Sequence, residues 1–236
     1  MDTRARDSAA PEIRLKRRPP RLFLVTDDDV VGDRGFLARA AAVLEAGGSG
    51  CALQLRAHGL RSGAVWELAR RLRQVTAETR WSLWINDRVD VALVVRADGV
   101  QLGARSVPPT VARRLLGRTC WIGRSVHGAD EALSANADLA VLGSIYATES
   151  HPGRRPLGLE TLTKAASGAR PIVAIGGITP QRVAEVMECG AQGIAVLSGI
   201  WRARDAAEAL REYLSALNAA AASTAVGGRA DMNYFI

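Results

Sequence analysis

The chain has 236 residues, 48% of them hydrophobic, and 31 basic against 24 acidic side chains give it a formal net charge of +7. That length suits one eight-fold α/β barrel or at most two small domains, with enough apolar material for a substantial core. Cys51, Cys120 and Cys189 are odd in number and include no CxxC pair, which argues against a disulfide framework or structural zinc and agrees with a reducing compartment.

The first 21 residues hold seven basic and three acidic side chains, so +4 of the net charge sits in a stretch without hydrophobic periodicity. Residues 1–20 therefore read as a disordered, solvated basic arm. Its run at 14–21 has no interleaved aromatic residue, so nucleic-acid contact is not expected. The apolar run 22–25 is too brief for a secretory signal, and no run can span a bilayer; a cytoplasmic protein without membrane contact is expected.

From residue 22 onward, short β-rich runs alternate eight times with helical patterns. Strands are predicted at 22–26, 51–56, 82–85, 99–102, 121–125, 139–142, 171–175 and 193–196, most of them near-continuous apolar runs typical of parallel strands covered by helices. Helices are predicted at 61–78, 108–116, 180–189 and 202–217, among others, with Thr179 as an N-cap before Pro180. Eight such units over 21–217 predict an α/β fold, a (β/α)8 TIM barrel, with a doubly wound open sheet as the alternative. Residues 218–236, rich in Ala, Ser and Gly, read as a flexible tail.

Polar residues collect where strands give way to their loops: Thr26-Asp27, Gln54, Arg56, Asn86-Asp87, Gln101, Ser125, His127, Gly176-Gly177 and Ser198-Gly199. In a barrel this asymmetry places the active site at the C-terminal face. Gln54, Arg56 and His58 share one strand parity; Gly123, Ser125 and His127 share another, and small residues below His127 would leave it room to point inward. All three histidines, His58, His127 and His151, fall in strand-to-helix segments of this face, yet none has metal-ligand spacing on one helix, so no metal is expected from them. Gly176, Gly177, Ser198 and Gly199, after strands seven and eight, read as a phosphate cradle of backbone N–H groups.

Taken in order, Leu24-Val25-Thr26-Asp27, Gln54-Leu55-Arg56, Ile85-Asn86-Asp87-Arg88, the segments at 99–103 and 123–127, and those at 174–178 and 195–200 resemble the thiamine phosphate synthase/TenI superfamily. The resemblance implies a TIM barrel acting in thiamin biosynthesis, by one of two activities. Synthases couple a pyrimidine pyrophosphate to a thiazole phosphate with Mg²⁺; TenI-like thiazole tautomerases aromatise a carboxylated dihydrothiazole phosphate by moving one proton. The synthase pattern is thinned here: His58 stands where its motif has lysine, Ser106 ends a segment without the second Mg²⁺ carboxylate, and His151 replaces another lysine. Only Asp87 remains as a Mg²⁺ ligand, and loss of fixed charge weakens a pyrophosphate clamp.

The sequence therefore points to the tautomerase, an isomerase without cofactor, in which His127 takes and returns the proton. Gln54, Arg56, Asn86, Gln101 and Ser125 would bind the phosphorylated thiazole, with Arg56 on its carboxylate or on the delocalised charge, and His58 and His151 would line the pocket. The alternatives are the Mg²⁺-dependent synthase, a transferase, and a ligand-binding regulatory barrel without catalysis; a homodimer is left open. The competing role for His127 is a rim histidine bonded to a backbone carbonyl, and for Asp87 a hydrogen-bond acceptor at a helix start.

Overall fold

A computed structural model describes residues 18–149 and 153–230. Most of the basic arm, the last residues of the tail and His151 therefore lie outside the described residues.

Eight parallel strands close on themselves in sequence order, β1 Leu22–Val25, β2 Cys51–Leu55, β3 Ser82–Asn86, β4 Gly99–Leu102, β5 Trp121–Val126, β6 Leu139–Gly143, β7 Ile172–Ile175 and β8 Gly193–Val196. Every residue of β1, β2, β4, β6 and β8 is buried, because one strand face lines the barrel and the other meets the helices. The outer layer consists of α1 Asp28–Gly32, α2 Phe36–Gly47, α3 Ser62–Thr79, α4 Val89–Val94, α5 Pro109–Leu116, α6 Ala129–Ser134, α7 Gly158–Ala166, α8 Val183–Glu188, α9 Ser198–Trp201 and α10 Ala206–Ala230. The closed barrel is the predicted fold, and the open-sheet alternative falls.

The lower barrel interior is filled by Phe23, Ala52, Trp84, Leu139 and Val173. Phe23 meets Trp84 edge to face at 4.9 Å, and the Trp84 ring takes the volume above Gly99, where a Cβ would lie 2.4 Å from it. This plug makes the barrel a packed core below and leaves its upper end open. Two matching braces hold the N-terminal ends of the strands. Asp98 accepts from Arg73 Nη1 (2.7 Å) and from the Leu83 amide (2.8 Å); Asp138 accepts from Arg113 and from the Ile122 amide (2.8 Å).

Local differences from the sequence expectation have simple causes. Residues 180–189 divide into a 3-10 turn, Pro180–Arg182, and α8; Thr179 occupies the N-cap position but its side chain makes no capping bond. The last helix starts at Ala206, later than 202, since α9 intervenes, and it continues to Ala230. Alanine, the strongest helix former, carries it past the boundary at 217, so part of the stretch expected to be a flexible tail is helical.

Candidate active site

A cavity of about 850 Å³ opens at the C-terminal ends of the strands. Of the predicted site residues, Gln54, Arg56, Asn86, Gln101, Ser125, His127, Gly176, Gly177, Ser198 and Gly199 all line it. The strands position these groups by alternation: Gln54 and Gln101 lie on inward positions and are 5% and 1% exposed.

Two short relays order the floor. Gln54 Nε2 donates to Asn86 Oδ1 at 2.9 Å, and Asn86 Nδ2 donates to Asp87 Oδ2 at 2.7 Å. On the other side Gln101 Nε2 donates to Ser125 Oγ at 2.9 Å, which frees the Ser125 hydroxyl proton for another acceptor. Buried Thr26 staples β1 to β2: its Oγ1 accepts from the Arg56 amide (2.9 Å) and donates to the Arg56 carbonyl (3.0 Å), fixing where that guanidinium departs.

Asp87 sits at φ 60°, a left-handed conformation that short polar side chains tolerate. Its carboxylate accepts from the Gly103 amide (3.1 Å), Ser106 Oγ and Asn86 Nδ2. It does not cap the following helix, whose N-cap residue is Arg88; the helix-start role expected for it gives way to a brace between the loops after β3 and β4. His58 is exposed, with Nδ1 3.9 Å from Asp87 Oδ2, and it stands outside the residues lining the cavity. Among the described residues, no three His, Cys, Asp or Glu side chains gather as a metal cage.

His127 reaches the rim, but the space above Gly123 belongs to another group. A Cβ at Gly123 would lie 2.1 Å from Gln101 Oε1, so the room predicted for an inward imidazole holds a carboxamide. The His127 ring instead meets the Gly143 carbonyl through Nδ1 at 2.9 Å, and its backbone amide donates to Glu131 at 2.8 Å. A carbonyl only accepts, so Nδ1 carries the proton and Nε2 is the basic nitrogen of the neutral ring. This is the rim bond foreseen as the competing role.

At the other side of the mouth, Gly176 and Gly177 adopt φ 99° and 65°. A Cβ on Gly177 would come within 2.4 Å of the Ala147 carbonyl oxygen, so the close approach of two loops demands glycine there. The Tyr213 hydroxyl, from α10, donates to the Ile178 carbonyl at 2.9 Å, and burial pushes its pKa up to about 12. The Trp201 indole N–H donates to the Val25 carbonyl at 2.8 Å, tying α9 to β1.

Two arginines missed by the sequence reading also line this cavity. Arg182 follows Pro180, and Arg202 follows α9 with Asp27, Asp29 and Glu149 at 3.8–3.9 Å. A readable signal existed for the first: a cation in the opening turn of a helical segment opposes the helix dipole and needs another reason to be there.

A family model described as thiamine monophosphate synthase matches residues 22–200. The chain belongs to that family. A thiamine-phosphate synthase of Pyrococcus furiosus is 38% identical over 188 residues, covering 78% of this chain and 90% of its own. One from Moorella thermoacetica is 38% identical over 195 residues, covering 80% and 92%. The solved thiamine phosphate pyrophosphorylase from Pyrococcus furiosus superposes with a TM-score of 0.75 at 35% identity, over 85% of this chain and 96% of that one.

These relatives overturn the expected thiazole tautomerase and its isomerase assignment, and with them the regulatory barrel without catalysis: the family is one of enzymes, and the names point to a transferase. The physical flaw lay in counting cations only inside the recognised motifs. The folded cavity collects guanidiniums from Arg56, Arg182 and Arg202, two of them on segments that carry no motif. No helix among the described residues is long and apolar enough to cross a membrane.

Proposed function

We propose that this chain is a thiamine phosphate synthase, joining a pyrimidine pyrophosphate to a thiazole phosphate and releasing pyrophosphate. The observation that carries the reading is the 38% identity to named synthases over nine-tenths of their length, combined with a strand-end cavity rich in arginine.

On this reading the floor orients a flat polar ring, with the Ser125 hydroxyl as donor and Gln54 Oε1 as acceptor, each set by the relay behind it. Asn86 and Gln101 act through those relays. Arg56 faces the leaving pyrophosphate with a planar guanidinium suited to bidentate contact with its oxygens. The thiazole phosphate rests at Gly176, Gly177, Ser198 and Gly199. The backbone N–H groups of Gly177, Ile178, Ser198 and Gly199 have no acceptor among the described residues, which suits an anion. His127 contributes Nε2 at the rim as an acceptor for bound water or substrate.

Mg²⁺ fits Asp87 in one mode. With Asp87 the one Mg²⁺ carboxylate that the recognised motifs supply, the ion would take its other oxygens from substrate phosphates and water, as it commonly does. Among the described residues Asp87 Oδ2 accepts one hydrogen bond, from Asn86 Nδ2, and keeps a lone pair for this. Bound there, the ion would neutralise charge on the departing pyrophosphate. Incubation of the full-length chain with both precursors and Mg²⁺ tests the reading: thiamine phosphate should accumulate with pyrophosphate in equal amount, and no coupling under those conditions refutes it.

A further inference from the structure

Arg182, like Arg56, lines the cavity without a carboxylate of the described residues within ion-pair distance. Its Nη1 donates to the Gly177 carbonyl at 2.7 Å, and its guanidinium lies over the Tyr146 ring, 4.3 Å from the centroid. The Tyr146 hydroxyl in turn donates to Glu185 at 2.5 Å, so the ring under the cation is itself held. One donor and one face of the guanidinium are thereby used, and its other N–H groups have no acceptor among the described residues. Arg202 differs, having three carboxylates within 4 Å.

The bond to Gly177 also bears on the cradle backbone. Gly176 and Gly177 both hold left-handed angles, which leave a glycine pair free to swing unless something fixes it. Arg182 fixes the plane of the peptide that joins Gly177 to Ile178, while Tyr213 holds the next carbonyl. A rigid half-buried cation beside four unpaired amide N–H groups makes a pocket of positive potential, complementary to a compact dianion.

We propose that Arg182 is the cationic wall of the phosphate cradle, binding the phosphoryl group of the substrate directly and holding the Gly177 peptide in its receiving orientation. This rests on the cradle being a phosphate site, and it adds a residue outside the motifs of the family resemblance.

The probe is inorganic phosphate, titrated calorimetrically into the wild-type chain and into Arg182→Met, Arg182→Gln and Arg182→Lys. A charged hydrogen bond at a half-exposed position predicts a Kd raised about 10- to 30-fold in the Met and Gln variants. Lysine, which keeps charge without the planar fork, should recover part of the loss. Two neutral replacements of different polarity guard against a folding defect in either, and thermal melts identify it. Unchanged phosphate affinity in the folded Met and Gln variants overturns the proposal, as does a wild-type chain that binds no phosphate. In turnover, the variants should lose discrimination between phosphorylated and unphosphorylated thiazole through KM; equal losses on both overturn it. Arg182-dependent phosphate binding without coupling activity would sink the synthase reading alone. Coupling with Arg182-independent phosphate binding would sink this inference alone.

Discussion

Removing the Tyr213 hydroxyl isolates one buried bond that joins the last helix to the cavity wall. In Tyr213→Phe the ring stays in place, since the side chain is only 2% exposed and packed, but the Ile178 carbonyl loses its 2.9 Å donor. Leaving a buried acceptor unpaired costs about 1–3 kcal/mol. For a barrel of this size each kcal/mol moves Tm by about 2–4 °C, so a drop of roughly 3–8 °C is expected in calorimetry at neutral pH.

The same group carries a pH signature. A phenol raised to about 12 in the folded chain binds its proton more tightly there than in the unfolded chain, where it titrates near its ordinary value of 10.0. Its stabilising contribution is complete below about pH 10 and is lost as pH rises toward 12. Urea melts from pH 9 to 12 should show a shallower alkaline loss in the variant, the remaining slope coming in part from buried Cys51, also raised to about 12. A further check uses Gly199→Ala, whose Cβ would lie 2.3 Å from the Tyr213 oxygen. Its cost should shrink by about 1 kcal/mol or more in the Phe background, a coupling typical of residues in contact. A Tm within 1 °C of wild type for Tyr213→Phe, with additive costs in the double variant, would refute the reasoning.

Other outcomes follow from the same geometry. Gly177→Ala places a Cβ at φ 65° and 2.4 Å from a backbone oxygen, so it should cost about 2–4 kcal/mol in chemical denaturation and abolish phosphate binding. Arg113→Ala strips donors from the Gly117 and Cys120 carbonyls and from Asp138; a loss of about 2–3 kcal/mol is expected in urea melts, with KM values unaffected because the brace lies at the opposite end of the barrel from the cavity. Chelation with EDTA should stop coupling and added Mg²⁺ restore it, with Asp87→Asn raising the Mg²⁺ concentration needed by at least tenfold; metal-independent coupling would remove Asp87 from that role.

The strands were legible because parallel strands buried on both faces leave long apolar runs, and all eight were placed within a residue or so of their ends. The same alternation that buries Gln54 and Gln101 identified the inward parity. Parity brought His127 to the cavity rim but not its contacts, because direction along a strand does not say which neighbour fills the space: the Gln101 amide, one strand over, occupies the volume opened by Gly123. Lost lysines at 58 and 151 were read as lost charge, since a motif records only the cations within its own segment.

What the linear order of residues determined by itself was therefore the barrel, its open end and the ring of polar groups on that rim, all consequences of local periodicity and turn chemistry. What only tertiary structure decided was which of those groups touch: the relays through Asn86 and Ser125, the imidazole turned to the Gly143 carbonyl, and the arginines arriving from Pro180–Arg182 and from beyond α9. Contacts across strands depend on barrel closure, register and the volume left by each neighbour, quantities that no single segment encodes.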